Sequence, residues 1–155
     1  MTGLAEFLSA GSISAGLNIP SRKALVANIA QTAATEYGLD AALVSEKLTE
    51  RERLGSTGFG NGIAIPHGKI DGLEHVVGIF AQLVPPVDFQ AVDNLPVDIV
   101  FCLLSPTDSG ADHLKALALV SRWLRDPRFV ANLRGAGTAD ALYAVIGGQE
   151  TRNAA

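Results

Sequence analysis

Hydrophobic positions along the chain change their spacing several times, and each change marks an element. Leu4, Phe7, Leu8 and Ile13 are scattered among serine and glycine, so the first eighteen residues read as a short apolar segment with a turn. Pro20-Ser21-Arg22-Lys23 then opens a helical pattern in which Leu25, Ile29 and Ala33 recur four residues apart. Ala24, Ala27, Ala30 and Ala34 lower the propensity cost of that helix. Tyr37-Gly38 is its expected stop, because glycine accommodates a left-handed cap. Asp40 suits the N-cap of a second helix that carries Leu43, Val44 and Leu48 on one stripe and runs to about Arg53. Arg51 and Arg53 fall in its last turn, where positive charge suits the carbonyl end of the dipole.

From Gly55 to Gly62 the periodicity collapses into Gly-Ser-Thr-Gly-Phe-Gly-Asn-Gly, and four glycines in eight residues predict a shaped loop, neither helix nor strand. Ile63-Ala64-Ile65 is a short strand ending at Pro66-His67-Gly68. A second strand places Val77, Ile79 and Ala81 on one side and Val76, Gly78, Phe80 and Gln82 on the other, until Pro85-Pro86 breaks it. Phe89 to Pro96 reads as a loop with a turn at Asp93-Asn94. Val97 to Leu104 is the most apolar strand, which two covered sheet faces explain better than one. Ser105 to Gly110 is a second loop, followed by a long helix with Leu114, Leu117, Val120 and Leu124 at helical spacing. Pro127 opens a short helix through Leu133 that Gly135-Ala136-Gly137 ends. Thr138 caps a final helix carrying Leu142, Val145 and Ile146, before Gly147-Gly148 and a polar tail. No repeat or low-complexity linker divides this order, so the pattern predicts an α/β fold with helices packed on a mixed sheet.

Length and charge narrow the classes. A chain of 155 residues fits one domain, expected over 1–150 with a polar C-terminal tail at 151–155. Twelve basic against sixteen acidic residues give a formal net charge of -4, which argues against a nucleic-acid backbone or an anionic membrane as main partner. One cysteine excludes an internal disulfide framework, and three histidines leave little for a histidine-rich metal site. The opening lacks a basic segment followed by a long apolar core, and the Ile99–Leu104 run is far too short to span a bilayer, so a cytoplasmic protein is expected.

The chemistry-bearing candidates are few. His67 follows a strand and Pro66, which fixes its own backbone angle and biases Ile65 toward an extended form. Flanking glycines allow close approach of another molecule and leave N–H groups for an anion, with Ser56, Thr57 and Asn61 as further polar donors. Local composition alone leaves a surface histidine on a tight turn equally open. His113 starts the long helix, where free N–H groups favour a phosphate and disfavour an imidazolium; on its own it reads as a surface residue. His75 sits in a polar turn with no evident task, Cys102 reads as buried packing, and Trp123 and Phe129 as core or helix edge. Gly58-Phe59-Gly60-Asn61-Gly62 lacks the Gly-Lys-Ser/Thr ending of a P-loop and precedes a strand. A His67–His113 zinc pair has no clear third ligand.

The segment Arg51 through Lys69, Arg-Glu-Arg-Leu-Gly-Ser-Thr-Gly-Phe-Gly-Asn-Gly-Ile-Ala-Ile-Pro-His-Gly-Lys, resembles the phosphorylatable-histidine region of EIIA domains of the phosphoenolpyruvate-dependent phosphotransferase system (PTS), fructose/mannitol class (EIIA type-2). Its wording is most similar to the nitrogen-related branch, EIIA-Ntr (PtsN). The likeness continues through Pro86-Val87-Asp88-Phe89, Pro96-Val97-Asp98 and Asp112-His113-Leu114-Lys115-Ala116-Leu117, covering roughly Leu25 to Ile146. The resemblance implies a mixed β-sheet flanked by helices. It implies that His67 accepts a phosphoryl group from an HPr-like carrier, called NPr in this branch. His113 would then be the supporting histidine and Arg51 the arginine near the phosphate, with Arg53 as a neighbour.

The glycine-loop residues Gly55, Ser56, Thr57, Gly58, Asn61 and Gly62 are expected to surround the phosphate, since phosphoryl transfer depends mainly on positioning and charge stabilisation. No cofactor and no metal are expected. The expected function is a phosphocarrier that regulates partners such as kinases or transporters through its phosphorylation state, without nucleic acid or membrane insertion. Two alternatives stand beside it: a soluble sugar-PTS EIIA passing phosphate to a separate EIIB, and a non-catalytic regulatory binding module. A metal-dependent hydrolase would instead carry stoichiometric metal.

Overall fold

The computed structural model describes the backbone of residues 3–154 and the side chains of residues 3–148. In chain order the elements are β1 (Ile13–Leu17), α1 (Arg22–Tyr37), α2 (Ala41–Arg53), β2 (Gly58–Gly60), β3 (Ile63–Ala64), β4 (His67–Ile70), β5 (Val77–Val87), β6 (Val97–Pro106), α3 (Gly110–Leu124), α4 (Pro127–Gly135) and α5 (Ala139–Ala154). Two 3-10 turns, Leu4–Phe7 and Ala10–Ser12, precede β1. The strands form one sheet in the order β1-β5-β6-β3-β2, with β4 also pairing with β6. β5 is antiparallel to β6, while β1 is parallel to β5, and β3 and β4 are parallel to β6. The mixed sheet flanked by helices is the architecture that the hydrophobic pattern predicts.

β6 organises the layers. Val100, Cys102 and Leu104 join the core beneath α1 and α2, while Ile99, Phe101 and Leu103 join the one beneath α3, α4 and α5. Alternate side chains of a strand point to opposite faces, so a strand with both faces covered must be apolar throughout. All six of these side chains are within 1% of complete burial. Removing each large aliphatic or aromatic side chain from water contributes about 1.5–3 kcal/mol. The helix ends follow the sequence signals: Ser21 Oγ accepts from the Ala24 N–H at 3.1 Å, Asp40 accepts from Ala42 and Leu43, and Gly38 is left-handed at φ 67°.

Several expectations are corrected. The first eighteen residues include β1, an edge strand whose one partner is β5; its apolar positions are too few to show a period. Part of the glycine stretch is a strand after all, because β2 and β3 form a small antiparallel hairpin. A Cβ on Gly58 would lie 2.9 Å from that of Ala91, so the hairpin can pack against the 88–96 loop only through glycine. β5 continues through Pro85-Pro86 to Val87. Its ladder to β6 jumps from Gln82↔Ile99 to Val87↔Val97, so neither proline has to donate a hydrogen bond there. β6 extends to Pro106, shortening the second loop. In α3 the inward residues are His113, Ala116, Val120 and Leu124, and Leu114 is 66% exposed. α5 continues past Gly147-Gly148, since glycine weakens a helix by about 1 kcal/mol relative to alanine but keeps its N–H.

Candidate active site

His67 opens β4, where it pairs with Leu103 of β6. It does not merely follow a strand: Pro66 ends one segment and His67 begins the next, with the Leu103 N–H donating to the Pro66 carbonyl at 3.0 Å. His67, Lys69, Leu103 and Ser105 share one face, because residues two apart along paired strands point the same way. The His67 ring is fixed at both nitrogens. Nδ1 lies 2.8 Å from the Ile65 carbonyl oxygen, and Arg51 Nε donates toward Nε2 at 3.2 Å. A carbonyl only accepts and a guanidinium only donates, so the proton belongs on Nδ1 and Nε2 carries the lone pair.

Arg51 comes from the last turn of α2 and is anchored by Nη1 donating to the Gly55 carbonyl at 2.9 Å. α2 approaches β4 closely because Gly68 has no side chain. A Cβ there would be 3.3 Å from that of Lys47. From the other side of the sheet edge, α3 brings His113 to a ring-centroid distance of 5.6 Å from His67. His113 is 8% exposed, which corrects the reading of it as a surface residue. Its Nδ1 is 2.6 Å from the Oγ of fully buried Ser105.

Burial pushes the His67 pKa below its ordinary value; the bond to Ile65 opposes this, Arg51 adds to the lowering, and Glu52 opposes it. Burial also lowers that of His113, helped by His67 and Lys69. Both rings are therefore neutral near pH 7, and His67 presents an unprotonated nitrogen beside a fixed cation. The cleft in front of them has a volume of about 770 Å³, and its walls include Lys47, Arg51, Arg53, Lys69 and Thr107. A second hollow of about 470 Å³, bordered by Glu6, Phe7, His75, Asp108 and Asp112, contains neither His67 nor His113.

The sequence-expected residues thus separate into two groups. His67, His113, Arg51 and Arg53 line one cleft. Gly55 touches it through its carbonyl on Arg51. Ser56, Thr57, Gly58, Asn61 and Gly62, expected around the phosphate, are not among the residues that line it. Their groups are committed elsewhere: the Thr57 N–H donates to the Glu52 carboxylate, the Gly58 N–H to Ser56 Oγ, and the Asn61 N–H to Asp93. Ser56 Oγ donates to the Phe89 carbonyl, and Gly62 sits against Arg134 and Asp98. Lys69 and Ser105 were missed; the period of two from His67 would have found Lys69, whereas nothing local marks Ser105.

With this geometry in view, the comparisons with known proteins are decisive. Residues 6–148 match the family "Phosphoenolpyruvate-dependent sugar phosphotransferase system, EIIA 2". The chain belongs to that family. Among its relatives, the nitrogen regulatory protein of Bradyrhizobium diazoefficiens is 43% identical over 143 residues, covering 92% of this chain and 94% of that protein. The one from Escherichia coli K12 is 43% identical over 127 residues, 81% and 78% of the two chains. The solved structure of nitrogen regulatory protein IIA-Ntr from Neisseria meningitidis superposes with a TM-score of 0.86 at 32% identity, covering 92% of this chain and 98% of that one. IIA mannitol from Escherichia coli, at 18% identity and a TM-score of 0.76, shares the fold. This EIIA is thus similar to the nitrogen-regulatory branch, and its general function is that of a PTS phosphocarrier relaying phosphoryl groups through an active-site histidine. Among the described residues, no helix is long and apolar enough to cross a membrane.

Proposed function

We propose that His67 is the phosphoacceptor of this EIIA, that an HPr-like carrier of the NPr kind is its donor, and that its phosphorylation state regulates partner proteins such as kinases or transporters. The observation that carries the reading is the His67 ring held between the Ile65 carbonyl and Arg51, with Nε2 unprotonated at the cleft. In transfer, the Nε2 lone pair attacks phosphorus while the P–N bond to the donor imidazole breaks, and its electron pair leaves with the donor ring. Nδ1 keeps its proton throughout, so no net proton has to move. Arg51 shifts from the ring to an equatorial oxygen, where a guanidinium forms charge-assisted bonds to phosphate. Exchange between two phosphohistidines makes the step reversible.

Incubation with phosphoenolpyruvate, an EI-type enzyme and purified HPr-type donors, followed by intact-mass site mapping, tests the reading. One phosphoryl group is expected on His67 and none on His67→Ala. Normal labelling of that variant would overturn the assignment. The names of the nitrogen regulatory relatives support the regulatory branch. A PTS fructose-specific EIIA component from Haloferax volcanii, 42% identical over 85 residues, supports a second reading in which phosphate passes to a separate EIIB. Phosphorylation-sensitive capture of a regulatory partner supports the first, and onward transfer to a purified EIIB the second.

A further inference from the structure

From Ile99 to Leu104 β6 is apolar, and Ser105 then supplies one buried hydroxyl. Ser105 is 0% exposed, and its Oγ bonds His113 Nδ1 at 2.6 Å. His113 Nε2 has no protein partner among the described residues, is not shut off from solvent, and belongs to a ring that lines the His67 cleft. A hydroxyl differs from the carbonyl that holds His67: it can donate or accept. The two histidines of the site are therefore anchored by different chemistry, one by a group of fixed polarity and one by a group that can reverse.

We propose that Ser105 is a positioning residue that sets the tautomer of His113. While the ring is neutral, the hydroxyl donates to Nδ1, so the ring proton sits on Nε2 and faces the cleft as a donor. The opposite tautomer would aim a lone pair at an incoming phosphoryl oxygen. A phosphoryl group on His67 carries a charge of about −1.5 to −2 and favours uptake of a second proton by His113 from solvent. The hydroxyl then rotates and accepts from Nδ1–H, so the buried nitrogen stays paired in both states, where an unpaired one would be costly. The groups around this ring are His67 and Lys69 on β4 and Arg51 on α2 across the cleft, while Asp112, the preceding residue on its own helix, borders the second hollow. Burial, His67 and Lys69 keep the unphosphorylated ring neutral, so before transfer Ser105 decides the proton's position and not the charge.

The second half of this inference rests on the phosphoacceptor reading; the first does not. Two-bond proton–nitrogen correlation spectra of ¹⁵N-histidine-labelled, unphosphorylated protein read the tautomer directly. Nε2–H is expected for His113 in the natural chain and in Ser105→Thr, and a loss of that preference in Ser105→Ala. After phosphorylation, the phosphohistidine half-life should fall about fivefold in Ser105→Ala, the scale of one lost hydrogen bond, and recover in Ser105→Thr. An Nδ1–H tautomer in the natural chain overturns the proposal. So does an unchanged tautomer and half-life in Ser105→Ala. Failure of His67 to accept phosphate would sink the functional reading while the tautomer result stood by itself.

Discussion

The two ends of the β3/β4 flank of the sheet are both rich in glycine and polar residues, yet they are built for opposite ends. At the β2–β3 hairpin, Arg134 spans Asp98 and the Asn61 carbonyl, Asp93 accepts from the Asn61 N–H, and the polar groups close on one another. At the start of β4, Gly68 lets α2 come near, and polar groups converge on an open cleft. In the first place glycine serves compactness; in the second it brings an arginine to a nitrogen. Glycine density is therefore a poor guide to where an open cleft forms, and polar groups that converge beside a cavity are a better one.

This contrast can be broken by experiment. The largest effect is expected from Arg51→Ala, which should slow phosphoryl acceptance by roughly a hundredfold, the scale of losing one oriented transition-state donor. Arg51→Lys should recover little of this, since an ammonium lacks the planar fork that reaches Nε2 and the Gly55 carbonyl together. Quench-flow labelling with fixed donor separates these outcomes, and a full-rate Arg51→Ala would dissolve the distinction between the two ends.

At the hairpin the expected loss is of stability. Gly62 has φ +81°, and a Cβ there would meet Arg134 at 2.6 Å and Asp98 at 2.8 Å. Gly62→Ala should cost about 1–3 kcal/mol in urea unfolding, the range for a strained backbone position, with the transfer rate of the folded protein unchanged. A slowed rate in the folded fraction would mean that the hairpin serves the site after all.

The smallest effect is a pH slope. His67 and His113 both titrate below their ordinary value in the folded chain, so the unfolded chain binds more protons as pH falls below about 6.5. Stability should decline on acidification from that point until the folded pKa values are passed. Replacing both histidines by glutamine should flatten this part of the slope. An unaltered slope in the double variant would assign the effect elsewhere.

Much of this was written into the chain. The stops at Gly38, the caps at Ser21 and Asp40 and the doubly covered β6 are local signals, and they are where expectation and structure agree. β1 escaped notice because its placement depends on β5, more than sixty residues away. The run through Pro85-Pro86 escaped because the missing ladder bonds depend on the register with β6. In the site, Arg51 and His67 share one recognisable segment. The loop between them is harder to read, because what its donors meet, Glu52, Asp93 and the Phe89 carbonyl among others, lies partly in another stretch of chain. Ser105 was invisible for a like reason: a single serine at a strand end acquires meaning only when a helix turns a histidine onto it.

β6 also limits what a phosphoryl group can announce. His67 is laced to this strand, which is buried on both faces between two cores, so the site rests on the part of the molecule with least room to move. Adding a group at the cleft leaves that frame nothing to rearrange. Under the proposed phosphorylation of His67, the message would be carried as a change of surface, a new anion where a compact neutral ring had been. On that proposal a partner would distinguish the two forms as a reader distinguishes two seals pressed from the same die, by the mark at the mouth of the cleft and not by the shape of the body behind it.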